Sequence, residues 1–156
     1  MISILDYGLG NLGAFKTIYK RLNIQATITK DPKELLKSQG LILPGVGSFD
    51  SAMKKLKLSG LRSSLDEAVL DKNIPILGVC VGMQILADSS EEGVCEGLGY
   101  ISGEVRTIDN NKEEQLDLPH MGWNKIMPTN KEDLMWSNIN SLRGFYFLHS
   151  YHFVPQ

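Results

Sequence analysis

Ile74-Pro75-Ile76-Leu77-Gly78-Val79-Cys80-Val81-Gly82-Met83-Gln84 (IPILGVCVGMQ) is the stretch on which the fold turns. Its first half is a short continuous apolar run, which reads as a strand over Ile74–Val79 at the centre of a parallel sheet. Its second half brackets Cys80 with Gly78 and Gly82 and leads into a helix expected over Met83–Asp88. Strand, glycine-bracketed turn and helix, in that order, form the context of a G-x-nucleophile-x-G elbow. Two residues without Cβ let the chain turn sharply and hold the central side chain in a strained pose. A thiol at a helix N-terminus is expected to have its thiolate favoured and its pKa lowered. The Val81 amide, one residue on, would point to where an oxyanion forms. The competing reading is a small buried cysteine between two packing glycines; the flanking strand and helix favour the nucleophile.

Outward from this turn, short apolar runs alternate with longer amphipathic ones, the pattern of an α/β domain. Strands are expected at Ile2–Tyr7, Ala26–Thr29 and Gly40–Pro44, and helices at Asn11–Leu22, Phe49–Leu56 and Leu61–Asp71. Asp31-Pro32-Lys33-Glu34 reads as a helix start, with Asp as the cap, Pro at the first helical position and an acid three residues after the cap. Glu104–Ile108, Lys125–Met127 and Phe145–Val154 read as later strands, separated by a charged loop over Asp109–Asp117. Such late strands often form an antiparallel extension of a parallel core. Gly45-Val46-Gly47, after the Leu41–Pro44 run, is a second glycine-bracketed turn. In a parallel sheet it would lie beside the Cys80 turn at the carboxyl ends of the strands, where its amides could complete an oxyanion hole.

Composition narrows the function classes. The 156 residues are 42% hydrophobic and 22% charged, which is ordinary globular chemistry. A formal charge of −2 without a basic run offers no electrostatic footing for nucleic acid or an anionic membrane. The longest apolar stretches are interrupted by Pro or Gly and are too short to span a bilayer. The N-terminus MISILDYG lacks a basic leader and reads as a strand. The two cysteines, Cys80 and Cys95, read as reduced thiols of a cytoplasmic protein. Cys95 lies in no such elbow, and the few His and Cys residues have no metal-ligand spacing.

Gly8-Leu9-Gly10-Asn11-Leu12-Gly13 is a literal G-x-G-x-x-G between a strand and a helix, with Asp31 further on. It is a poor dinucleotide site. Asp6 puts a carboxylate where pyrophosphate needs positive surroundings, and Asp31 is better explained as a helix cap than as a ribose ligand. A tight strand–helix turn is the preferred reading.

Seven segments together carry a resemblance: DYGLGNL (Asp6–Leu12), LPGVGSF (Leu43–Phe49), GVCVGMQIL (Gly78–Leu86), SEEG (Ser90–Gly93), GLGYI (Gly97–Ile101), LPHMGWN (Leu118–Asn124) and FYFLHSY (Phe145–Tyr151). In this order they resemble the class I, triad-type glutamine amidotransferases, in particular the family of subunits of imidazole glycerol phosphate synthases. The resemblance implies a single domain over 1–156 with a flavodoxin-like open, mostly parallel sheet flanked by helices and extended by antiparallel strands. It implies that Cys80 attacks the side-chain amide of L-glutamine to form a thioester and release ammonia, without a cofactor. It further implies that Gly47 and Val81 form the oxyanion hole, and that Gln84, Glu92, Ser150 and Tyr151 hold the glutamine. Asn11 and Trp123 would face a cyclase partner, a (β/α)8 barrel that takes the ammonia in histidine biosynthesis. The heterodimer would be cytoplasmic.

One element of the family pattern is absent. The family's catalytic His and Glu come from an H-x-E motif, and here neither His120, His149 nor His152 is followed by Glu two residues later. His120 and His149 sit in LPHMGWN and FYFLHSY, segments that are not catalytic in the family. Without a base, proton delivery to the leaving ammonia is lost. The expectation is therefore a glutaminase domain lacking its C-terminal part and inactive in this form. Two alternatives stay open: a paralogue feeding ammonia to surface-sugar biosynthesis, and a non-catalytic binding subunit.

Overall fold

The computed structural model describes residues 1–108, 117–130, 132–137, 139 and 143–156. Of the charged loop read at Asp109–Asp117, all but Asp117 lies outside the described residues. The chain forms two compact units, Met1–Arg106 with Phe153–Gln156, and Thr107–His152.

The first unit is built on strands β1 (Ile2–Leu5), β2 (Ala26–Thr29), β3 (Gly40–Pro44) and β4 (Ile76–Val79), all parallel, in the order β2-β1-β3-β4. Helices α1 (Leu12–Arg21), α2 (Pro32–Leu35), α3 (Phe49–Leu58) and α4 (Arg62–Asp66) occupy the connections. Because β2 lies on one side of β1 and β3 on the other, the order reverses at β1/β3, the place where open α/β sheets bind ligands beyond the carboxyl ends of their strands. The turns after β1, β3 and β4 stand at those ends.

Local chemistry explains the elements. All five residues of β3 (GLILP) are buried, as a strand covered on both faces requires. Ser48 caps α3 by accepting the Ser51 N–H, and Phe49, Ala52, Met53 and Leu56 recur at helical spacing on its buried face. They join Leu5, Leu35, Leu43, Leu61, Leu65 and Ile85 in one core. Each such large side chain contributes about 1.5–3 kcal/mol by burial. Asp31 caps α2 through the Lys33 N–H at 2.8 Å. The reciprocal half of the expected capping box is replaced, since the Asp31 N–H donates to Thr29 Oγ1.

Several boundaries differ from the sequence reading. β4 is not central: among the described residues it ends the sheet, and Leu77 is 44% exposed. An apolar run marks a strand but not its neighbours. The helix expected at Leu61–Asp71 is α-helical only to Asp66 and continues as a π-helix over Glu67–Asp71, closed by Lys72 N–H to the Glu67 carbonyl at 3.0 Å. Residue types do not distinguish that register from an α turn. The helix after Cys80 is only α5 (Val81–Gln84), not Met83–Asp88. The Asp88 N–H is taken by Gly103, while the carbonyls of Ile85, Leu86, Ala87 and Asp88 accept from Leu98, Tyr100, Gly99 and Gly97. Long-range backbone pairing there outcompetes helix extension. Strands β5 (Ser89–Ser90), β6 (Gly103–Thr107) and β9 (Tyr151–Pro155) form a small sheet in the order β5-β6-β9.

In the second unit, β7 (His120–Asn124) pairs antiparallel with β8 (Phe145–His149) in the register His120↔His149, Gly122↔Phe147, Asn124↔Phe145. The strand expected at Lys125–Met127 is not formed; pairing with β8 selects the segment before it. The run read as one strand from Phe145 breaks at Ser150, and β9 begins at Tyr151.

Candidate active site

Cys80 occupies the turn from β4 to α5 with φ 57° and ψ −124°, a positive-φ conformation that L-residues rarely adopt, and the residue is exposed. A non-glycine residue held there costs about 1–3 kcal/mol, so the surroundings must impose it. They do so through contacts that leave no room for Cβ. A Cβ on Gly82 would fall on the Leu43 carbonyl, one on Gly78 on the Met83 and Gly82 backbone, and one on Gly45 on the Gly82 amide. The expected elbow is therefore present, and the Gly45-Val46-Gly47 turn does lie against it. The close approach of Gly45 to Gly82 is what joins the two turns.

The Met83 and Gln84 amides turn back to the Cys80 carbonyl, at 2.9 and 3.2 Å. The Val81 N–H, first in α5, has no intrahelical acceptor. Gly47 has φ +94°, a conformation that favours glycine and sets the direction of the next amides. Tyr7, which the sequence reading passed over, is buried beneath the turns and donates its hydroxyl to the Pro44 carbonyl. Burial pushes its pKa up to about 12, with the Cys80 thiolate adding to the shift. Its only signal in the sequence is its place directly after the β1 run.

The expected glutamine-holding residues divide. Gln84 is 7% exposed within α5. Glu92 Oε2 accepts the Phe49 N–H at 2.8 Å, which places its carboxylate two residues from Gly47. Asp50, also passed over by the sequence reading, accepts the Val94 and Cys95 amides through Oδ1 at 3.0 Å each. These hydrogen bonds, that from the Cys95 amide first, hold its carboxyl below the usual carboxylate range. Burial, with Asp50 beside it, pushes the Cys95 thiol up, the opposite of an activated nucleophile.

Ser150 and Tyr151 belong to the second unit. There the Ser150 carbonyl accepts the Ile108 N–H at 2.9 Å, and His149 Nδ1 donates to the Tyr151 carbonyl at 2.8 Å. His120 Nε2 is hydrogen-bonded to Asn124 Nδ2 at 2.9 Å, and His152 is exposed. Of the two residues expected to face a partner, Asn11 caps α1 by accepting the Ala14 N–H at 3.2 Å. Trp123 is 70% exposed and meets Tyr146 edge-on, with ring centroids 6.0 Å apart. The G-x-G-x-x-G turn is closed by Asp6, whose carboxylate accepts the Gly8 N–H and pairs with Lys30 at 3.4 Å. An amide already bound to a carboxylate is not offered to pyrophosphate.

The family profile described as glutamine amidotransferase class-I matches residues 3–156. This chain belongs to that family. It is 50% identical over 153 residues to the imidazole glycerol phosphate synthase subunit HisH of Leptospira borgpetersenii, covering 97% of this chain and 74% of that protein. It is 47% identical over 157 residues to HisH of Bdellovibrio bacteriovorus, covering 100% of this chain and 76% of that one. A crystal structure of a glutamine amidotransferase shares its fold, with a TM-score of 0.55 and 22% identity over 68% of this chain and 56% of the other. The α/β amidotransferase architecture read from the sequence thus stands.

Proposed function

We propose that this chain is the glutamine-hydrolysing subunit of an imidazole glycerol phosphate synthase and serves histidine biosynthesis. The observation that supports the reading is the exposed Cys80, held at positive φ on a turn against which the Gly45–Gly47 turn packs. The identity to HisH proteins, across nearly the whole of this chain, supports the same assignment.

The chemistry follows from the geometry. The Cys80 thiolate adds to the amide carbon of glutamine, and the carbonyl oxygen takes the negative charge. The Val81 N–H and the amides of the Gly47 turn stabilise that charge where it develops, a contribution of about 2.7–4 kcal/mol for a typical donor. Collapse expels ammonia, the leaving nitrogen taking its proton from solvent water, and leaves a γ-glutamyl thioester. Water then hydrolyses the thioester to glutamate and restores the thiol. Glu92 suits the α-ammonium group of the substrate, Gln84 lines the same turn, and the Ser150–Tyr151 backbone suits the α-carboxylate. None of the three histidines is assigned the proton transfer, because each is engaged elsewhere or exposed.

Residues 1–156 act in this reading as one amidotransferase domain. The partner subunit is a (β/α)8-barrel cyclase that consumes the ammonia, and Asn11 and Trp123 face it; the exposure of both supports this. The two free cysteines fit a cytoplasmic protein.

A glutamine-derived diazoketone tests the proposal, with the adduct mapped by peptide mass spectrometry. A single adduct on Cys80, suppressed by L-glutamine, is the expected result. Modification of Cys95 instead, or no modification, would overturn it; the second outcome favours a non-catalytic binding subunit.

A further inference from the structure

Two segments at the edge of the site hold each other by reciprocal bonds. Asp50, the second residue of α3, accepts the Val94 and Cys95 amides. In return Glu92, from the segment just before them, accepts the Phe49 amide at the start of α3. Helix side chain holds loop backbone, and loop side chain holds helix backbone. The fit is close, since a Cβ on Gly93 would fall on Asp50 Oδ1. The Glu92 amide is fixed separately, by Ser90 Oγ at 3.1 Å. With Oε2 engaged by Phe49, Glu92 Oε1 accepts no hydrogen bond among the described residues, so one oxygen of a clamped carboxylate is left for a cationic group.

We propose that Asp50 is a positioning residue for glutamine: by clamping Gly93–Cys95 onto the first turn of α3, it fixes Glu92 beside the Gly47 turn and so sets the affinity for the substrate's α-ammonium group. The inference rests on the glutamine-site reading above. The physical reason is preorganisation. A carboxylate on a loose loop must be ordered each time substrate binds, and that entropy is subtracted from affinity. A carboxylate already held by backbone amides at both ends is ordered beforehand. Thiol chemistry does not pass through Asp50, so its loss acts on binding and not on the reactivity of Cys80.

The experiment measures L-glutamine protection of Cys80 against iodoacetamide in the chain described here, read by peptide mass spectrometry. Asp50→Ala is expected to raise the half-protecting glutamine concentration about tenfold, the scale of losing hydrogen bonds to a charged group. Its Cys80 alkylation rate without glutamine stays within about twofold of the parent. Asp50→Asn retains an oxygen for both amides and is expected to restore most of the affinity. Asp50→Ser, too short to reach both amides, serves as a second variant should the alanine protein not fold. Cys95 alkylation rises in the alanine and serine variants, reporting release of the loop.

Glu92→Gln separates the two possible failures. If it raises the half-protecting concentration while the alanine and serine variants of Asp50 only lower the thermal midpoint, the positioning role is overturned and Asp50 merely stabilises α3. If Glu92→Gln changes nothing, or glutamine protects no form of the chain, the glutamine-site reading fails and the inference falls with it.

Discussion

The two units of this chain use their apolar residues in opposite ways. Among the described residues, every buried apolar side chain of the core belongs to the first unit. The second unit displays Met121, Trp123, Tyr146 and Leu148 to solvent. The register of β7 and β8 pairs Met121 with Leu148 and Trp123 with Tyr146, so the four share one face of the ladder. A two-stranded ladder is marginally stable by itself. The first unit spends its apolar residues on a packed core that forces Cys80 into position. The second leaves them exposed on one face of its ladder.

Substitutions can break this contrast, beginning with the largest effect. Cys80→Ser should abolish diazoketone labelling altogether, while Cys95→Ser leaves it unchanged; equal labelling of both would remove Cys80 from its role. Gly82→Ala drives a Cβ into the Leu43 carbonyl, so denaturant unfolding should show a loss above about 4 kcal/mol. Gly122→Ala in the second unit meets open space and suffers only from its φ of +140°, for about 1–3 kcal/mol.

In the core, Leu56→Ala should cost about 2–5 kcal/mol, while Leu148→Ala stays within about 0.5 kcal/mol. Similar costs for the two leucines would mean that the second unit has a core of its own. Trp123→Ala should also leave stability nearly unchanged, yet weaken binding to the proposed cyclase by about tenfold or more in titration calorimetry.

The smallest effect sharpens the account of the Pro44 turn. Tyr7→Phe removes one buried hydrogen bond, worth about 1 kcal/mol. Because the folded pKa of Tyr7 is raised to about 12, its contribution is present below the ordinary tyrosine pKa of about 10 and is lost as pH rises through the folded value. The stability gap between parent and variant should therefore hold to about pH 10 and close by about pH 12. For Asp50 the sign is reversed. Its lowered pKa contributes stability above about pH 4, lost as pH falls through the folded value, so exchange of the Val94 and Cys95 amides should accelerate there.

Much of the first unit was legible in sequence. The bounds of β2 and β3 match the expected runs, and Asp31 caps α2 as its sequence context predicts. The strained turn at Cys80 was legible because a glycine-bracketed residue between an apolar run and a helix is a local motif. The second unit was read less well. HMGWN carries too little apolar alternation to announce β7, and only pairing with FYFLH makes it a strand. Tyr7 and Asp50 were missed for a related reason: the partners that give each its meaning are 37 and 44 to 45 residues away.

Sequence by itself determined what depends on near neighbours: the α/β alternation, the helix starts, the strained turn at Cys80 and the family to which the chain belongs. Periodicity, capping and glycine placement act over a few residues, so they survive without knowledge of the fold. Only tertiary structure decided what depends on which distant segments meet. It set the sheet order that leaves β4 at an end, and it stopped α5 at Gln84 by giving the next carbonyls to Gly97–Tyr100. It also pressed Gly45 against Gly82 and clasped Asp50 to the loop that carries Glu92. Backbone groups must find partners somewhere, and residue type does not say where.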